Sequence, residues 1–255
     1  LDHPFFSRLS AAIENACYKY GYKLLLCTSA NHADKEREMV SMLRANKVDG
    51  ILLCSRLEDA TIYADYELPM VSIERTISNV PSVSCDNYRG GTMAAQALIN
   101  GGCRHPVLFG NKTAPYLPAR LRYQGFRDEC DRMGISYYEY LIGEEDLFAE
   151  NFRKNLEELM EEHPDIDGIF ATSDILAARA YVKLLDSGLS APSDFQIVGF
   201  DGIDISDYFN ISTIAQPIKQ MGEFSVDMLL KRIEGQMVPE QSILPVAFIR
   251  RNSTR

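Results

Sequence analysis

The feature that most constrains this chain is an alternation, kept up along most of its length. Short, continuous apolar runs take turns with longer stretches whose apolar residues recur at three- and four-residue steps. Residues 50–55 (GILLCS), 70–74 (MVSIE), 105–110 (HPVLFG), 168–173 (GIFATS) and 195–200 (FQIVGF) read as strands, and so does 22–28 (YKLLLCT). Apolar on both faces, such strands need helices on either side of their sheet. Leu9, Ala12, Ile13, Ala16, Cys17 and Tyr20 line one helix face, with Pro4 near its start and Gly21 just beyond its end. Further helices are expected over 33–46 and 218–234. Strand, helix, strand in strict order predicts a parallel α/β fold.

A chain of 255 residues has room for two lobes of roughly 100–150 residues, each with its own core. An internal echo fits that division: 48–55 reads VDGILLCS and 166–173 reads IDGIFATS. The tail 242–251 (SILPVAFIRR) is extended and has no helix after it, so it is expected to return to the edge of an earlier sheet. The formal charge of −10 argues against nucleic acid as a partner of this segment itself, because a duplex is held by Lys and Arg that neutralise phosphates. The six cysteines contain no CxxC pair, which predicts reduced thiols in a cytoplasmic protein. No apolar run approaches the ~20 residues of a membrane helix.

Familiar catalytic signatures are missing. There is no GxGxxG after a strand, no phosphate loop, no GxSxG elbow and no HExxH. The histidines at 3, 32, 105 and 163 lack metal-ligand spacing. Asp201, Asp204 and Asp207 form a DxxDxxD run that could hold a hard cation, but it reads more simply as turn and capping residues after a strand. Neither an enzyme, a cofactor nor a metal is implied. What the sequence does concentrate is polarity at the ends of apolar strands: Glu74-Arg75, Asp86-Asn87, Ser173-Asp174 and Asp201. In open parallel sheets those ends face the ligand crevice. Ser173 or Asp174 would also cap the helix that follows.

The ordered segments HPFF (3–6), GYKLLLC (21–27), KEREMV and LRANKVDGILL (within 35–53), PMVSIER (69–75), SCDNYRGG (84–91), GGCRH (101–105), RYQGFR (122–127), DGIFATSD (167–174), VGFDGID (198–204), TIAQP (213–217) and LLKRIEG (229–235) resemble the effector-binding core of the LacI/GalR transcription regulators. The resemblance spans nearly the whole chain. It implies a periplasmic-binding-protein-like fold of type I, in which two Rossmann-like parallel-sheet lobes are joined by three crossings with a ligand between them. By that analogy the first lobe takes 1–103 and 218–242, and the second 104–216 and 243–255.

The resemblance also implies roles. Phe5 and Phe6 would stack on a sugar or base, and His3 stands where the family often has Asn. Glu74 and Arg75 occupy the place of an Asp-Arg pair, and Asn87, Arg122, Ser173, Asp201 and Gln216 would bind ligand hydroxyls. An aromatic is expected near 147–148, and Phe148 fills it. Such a set suits a neutral polyhydroxyl compound, since Arg offers a planar fork of donors and Asp accepts two hydroxyls. Purines meet the same residues by stacking and carboxylate acceptors. The family's helix-turn-helix headpiece and first core strand have no counterpart in this sequence, so operator DNA would be contacted by an upstream segment. Residues 175–185 (ILAARAYVKLL) are apolar nearly all round, which predicts a homodimer contacted through Tyr181, Tyr208 and Phe209. The alternative from another class is a secreted sugar-binding protein of an uptake system.

Overall fold

Two sheets organise the chain, one in each of two units. The computed structural model describes residues 3–29, 32–55, 57, 60, 63, 68–114, 116–143 and 149–255. The first unit comprises Leu1–Cys85, Ala114–Pro118 and Pro217–Pro245; the second comprises Asp86–Thr113, Ala119–Gln216 and Val246–Arg255.

In the first unit, α1 (Pro4–Lys19) begins as its sequence dictates. Proline occupies the first turn, and Nδ1 of His3 accepts the Phe5 N–H at 3.3 Å. Phe5, Leu9, Ile13 and Ala16 are its buried face. It packs on α8 (Ile218–Ile233), while α2 (Ala33–Ala45) buries Val40 and Leu43. Each such aliphatic side chain contributes about 1.5–3 kcal/mol when fully buried. The sheet runs β1 (Ile51–Leu53), β2 (Met70–Ile73), β3 (Ser82–Cys85), β9 (Gln241–Leu244), all parallel, with Ile51 opposite Met70 and Val83 opposite Ser242.

The expected strand at 22–28 does not form. Residues 22–29 carry no ladder, and Leu25 and Leu26 are exposed. An extended segment becomes a strand only by pairing, and β1 pairs on one side alone among the described residues, with β2.

The second unit holds the larger sheet, in the order β10 (Ala247–Ile249), β8 (Ser212–Ala215), β7 (Gln196–Asp201), β6 (Gly168–Ala171), β4 (Pro106–Asn111), β5 (Tyr138–Ile142). All neighbours are parallel except β10, which runs antiparallel to β8. Its helices are α3 (Asn87–Asn100), α4 (Arg120–Met133), α5 (Ala149–Glu162), α6 (Asp174–Asp186) and the short α7 (Asp204–Tyr208). Val107, Phe109, Ile169, Ile197, Leu176 and Leu156 are among the fully covered residues of its core.

The division differs from expectation in three places, one being Ala114–Pro118, which belong to the first unit although 104–216 is expected to lie wholly in the second. The chain enters the second unit at Asp86 rather than after 103, because α3 packs on α4 and on β6, β7 and β8. It leaves the first unit after Pro245 rather than 242, because 241–244 is a strand of the first sheet. The tail is therefore two strands, one for each sheet, divided at Pro245.

Candidate binding site

The strongest convergence of polar side chains lies in the second unit, where β6, β7 and β8 end. Arg122, in the first turn of α4, is 7% exposed. It reaches its neighbours because α3 and α4 cross almost backbone to backbone. A Cβ on Gly91 would stand 1.8 Å from the Arg122 carbonyl oxygen, and one on Gly125 would stand 2.0 Å from that of Tyr88. No side chain fits there. The crossing brings Asn87, at the start of α3, against the guanidinium of Arg122.

Arg122 donates from Nε (3.0 Å) and Nη2 (2.6 Å) to Oδ1 of Asn87, and from Nη1 (2.8 Å) to the carbonyl of Thr172 just beyond β6. Its Nη1 lies 3.9 Å from Oδ1 of Asp201. Asp201 ends β7 with φ at 116°, a region that non-glycine residues rarely adopt. Such strain costs on the order of 1–3 kcal/mol and gathers at functional sites. Its Oδ1 accepts Nε2 of Gln216 at 2.7 Å. Oε1 of Gln216 is buried with no hydrogen-bond partner among the described residues. Arg122 and Asp201 carry opposite charges, so the cluster is close to neutral.

Behind it sits a second carboxylate. Asp174 is fully buried at the start of α6; it accepts the Ile203 N–H at 2.8 Å on Oδ2 and the Thr213 hydroxyl at 2.6 Å on Oδ1. Burial first, then the charge of Asp201, pushes its carboxyl up to about 8. Of the two capping candidates it is Ser173 that caps α6, accepting the Leu176 N–H at 3.3 Å.

The structure thus assembles Asn87, Arg122, Asp201 and Gln216, with Ser173 one residue beyond the Thr172 carbonyl. The remaining expected residues belong to the first unit, apart from Phe148, which lies outside the described residues. Phe5 is buried and Phe6 half-buried, their rings edge to face at 5.1 Å. Glu74 follows β2 in the left-handed region (φ 54°), and its Oε1 accepts the Cys85 N–H at 2.7 Å. Arg75 is buried: its Nη2 donates to the Leu57 carbonyl at 2.6 Å, and its guanidinium lies 3.9 Å from the Tyr116 ring centre. In the second unit, Tyr181 is half-buried against Phe195 and Phe209, whereas Tyr208 is 80% exposed. In the DxxDxxD run, Asp207 pairs with Arg251 and Asp201 is taken up by Gln216 and Arg122. No group of three metal-ligating side chains occurs among the described residues. Nor is any helix among them long and apolar enough to cross a membrane.

Sequence reasoning missed Phe200, whose ring centre lies 3.6 Å from the guanidinium of Arg122. In the sequence it is one apolar residue of a strand, and only its place next to Asp201 signalled more.

The family described as periplasmic binding proteins and sugar binding domain of LacI family matches residues 1–252. The chain belongs to this family. Among LacI-family relatives, the sucrose operon repressor of Streptococcus mutans serotype c is 34% identical over 253 residues, covering 98% of this chain and 77% of that protein. The ribose operon repressor of Halalkalibacterium halodurans is 32% identical over 260 residues, covering 100% of this chain and 77% of its own length. The fold is also that of a solved periplasmic binding protein/LacI transcriptional regulator from Alkaliphilus metalliredigens, complexed with D-xylulofuranose. The TM-score is 0.87 at 32% identity, and the match covers all of this chain and 96% of the other. Both relatives are operon repressors, which does not favour the uptake-protein alternative.

Proposed function

We propose that this chain is the effector-binding core of a sugar-responsive repressor, and that its effector is a small neutral polyhydroxyl compound held by Arg122, Asp201 and Gln216. The observation that carries this reading is the donor and acceptor count at Arg122 and Gln216. A guanidinium has five N–H groups, and three of those on Arg122 are engaged, one each on Nε, Nη1 and Nη2. One N–H remains on each terminal nitrogen, with Nη1 3.9 Å from Oδ1 of Asp201, and the buried Oε1 of Gln216 has no partner among the described residues. Burying such groups for the fold alone costs about 1–3 kcal/mol each, whereas hydroxyls from a guest satisfy them. A neutral guest also leaves the Arg122–Asp201 balance undisturbed. The names of the relatives carry the sucrose and ribose operons, and the solved neighbour holds D-xylulofuranose; all three sugars are small neutral polyhydroxyl compounds.

The chain acts as a regulator rather than an enzyme, working as a homodimer in the cytoplasm where operator DNA is found, with an upstream headpiece making the DNA contact. Effector binding shifts a two-state equilibrium. Moving it from 1:99 to 99:1 takes about 5.5 kcal/mol of differential affinity.

Calorimetry against D-ribose, D-xylulose, sucrose, cellobiose and hypoxanthine tests the class. A sugar is expected to bind, and Arg122→Ala and Asp201→Ala are each expected to weaken it at least tenfold, since a hydrogen bond to a charged group contributes about 1.5–3 kcal/mol. Unchanged affinity in both variants would refute the site.

A further inference from the structure

The two remaining N–H groups of Arg122 can select a guest only if the guanidinium is held in one orientation, and a long, rotatable side chain is not held by its own helix. Its surroundings supply the restraint from two directions. On its face lies Phe200, fully buried, with the guanidinium carbon 3.6 Å from the ring centre. Against the ring also stands Gly90 of α3, where an added Cβ would meet Cε2 of Phe200 at 2.6 Å and Cζ at 3.0 Å. The ring is therefore held by a helix backbone as well as by the guanidinium. At the edge, Oδ1 of Asn87 receives both Nε and Nη2. A carbonyl oxygen has two lone pairs, so this atom has no acceptor capacity left for a guest hydroxyl.

We propose that Phe200 and Asn87 are positioning residues that act on the effector through Arg122, Phe200 fixing the plane of the guanidinium and the Oδ1 of Asn87 its rotation, with Gly90 giving the ring its place. This gives the side-chain oxygen of Asn87 a positioning role in place of a ligand contact, and it rests on the effector-site reading above.

The test begins on the unliganded chain, by 15N-resolved NMR of arginine side chains. One Nε–H resonance, identified by its disappearance in Arg122→Lys, is expected to exchange slowly with water, with its terminal N–H protons separately resolved. In Phe200→Leu, in Gly90→Ala and in Asn87→Ala that resonance should exchange at least tenfold faster and the terminal protons should merge, while the backbone amide signals of β6–β8 persist. Gly90→Ala displaces the ring without removing it, so the test survives if Phe200→Leu fails to fold. D-ribose, D-xylulose and sucrose are then titrated. Gly90→Ala is expected to weaken whichever of them binds by about tenfold in the parent, and not at all in an Arg122→Lys background, because an ammonium has no plane to fix. An unchanged Arg122 resonance in all the folded variants overturns the positioning role alone. A resonance altered as expected, with sugar affinity indifferent to Arg122→Ala, overturns the effector reading instead.

Discussion

At the scale of single residues, the second unit keeps one carboxylate for contact and another for support. Asp201 faces Arg122 and Gln216, whereas Asp174 accepts from the Thr213 hydroxyl and the backbone N–H groups of Ile203 and Gly202, with the charge of Asp201 acting on it. Those donors favour the ionised form of Asp174, but burial and the neighbouring charge outweigh them, and its carboxyl is pushed up to about 8. In the unfolded chain an aspartate titrates near ~3.9. Between those values the folded protein holds a proton that the unfolded chain has released. The contribution is therefore full below the unfolded value and is lost as pH climbs towards 8. Urea unfolding of the parent should show a midpoint that falls from pH 5 to pH 8. Asp174→Asn, which cannot ionise, should show a shallower fall. Parallel slopes in the two proteins would mean that Asp174 is already ionised at pH 5.

Elements decide whether those residues meet, and the crossing of α3 and α4 matters most. Gly91→Ala sets a methyl carbon against a backbone carbonyl, which cannot rotate away, so the helices must separate. Overpacking of this kind costs about 1–3 kcal/mol. Separation should also carry Asn87 off Arg122, so sugar affinity should fall along with the melting temperature. An affinity retained despite the lower melting temperature would uncouple the crossing from the site.

The same scale shows what the sequence disclosed. The buried strands β2, β4, β6 and β7 were legible because continuous apolar runs are a local signal. So was α1, with proline at its start and a buried stripe at helical spacing. β5 was not, since its burial is only partial and its Tyr and Glu residues read as surface. The segment 22–28 has strand composition but no partner, and pairing is not local information. Pro245 did carry a signal in the tail: a residue without an N–H interrupts a ladder, and it separates β9 from β10. At the site, Asp201 stood out as a polar group at a strand end, whereas Arg122 and Gln216 were indicated only by the resemblance to the family. The contact of Gly90, Phe200 and guanidinium was signalled by neither, because it depends on packing across three elements.

For the whole molecule the open matter is assembly. The second unit leaves an apolar set exposed on α6 and at the end of α7: Val182 37%, Leu185 42%, Tyr208 80% and Phe209 36%. Aromatic and aliphatic residues grouped on one surface of a soluble chain mark an interaction face. A face that meets its own copy through a two-fold axis counts each residue twice, so a small patch can suffice. Dimer symmetry would also suit a repressor, because paired headpieces read paired half-sites. Sedimentation at micromolar concentration should therefore return about twice the 28.7 kDa of the chain. Replacing Leu185 and Tyr208 by Asp places two charges on each copy, four at a two-fold contact, and should release monomers. Neither residue touches Arg122 or Asp201, so those monomers should still bind sugar. A parent chain that sediments as a monomer removes this face from the interface, whereas a dimer that survives both charges puts the contact elsewhere on the surface.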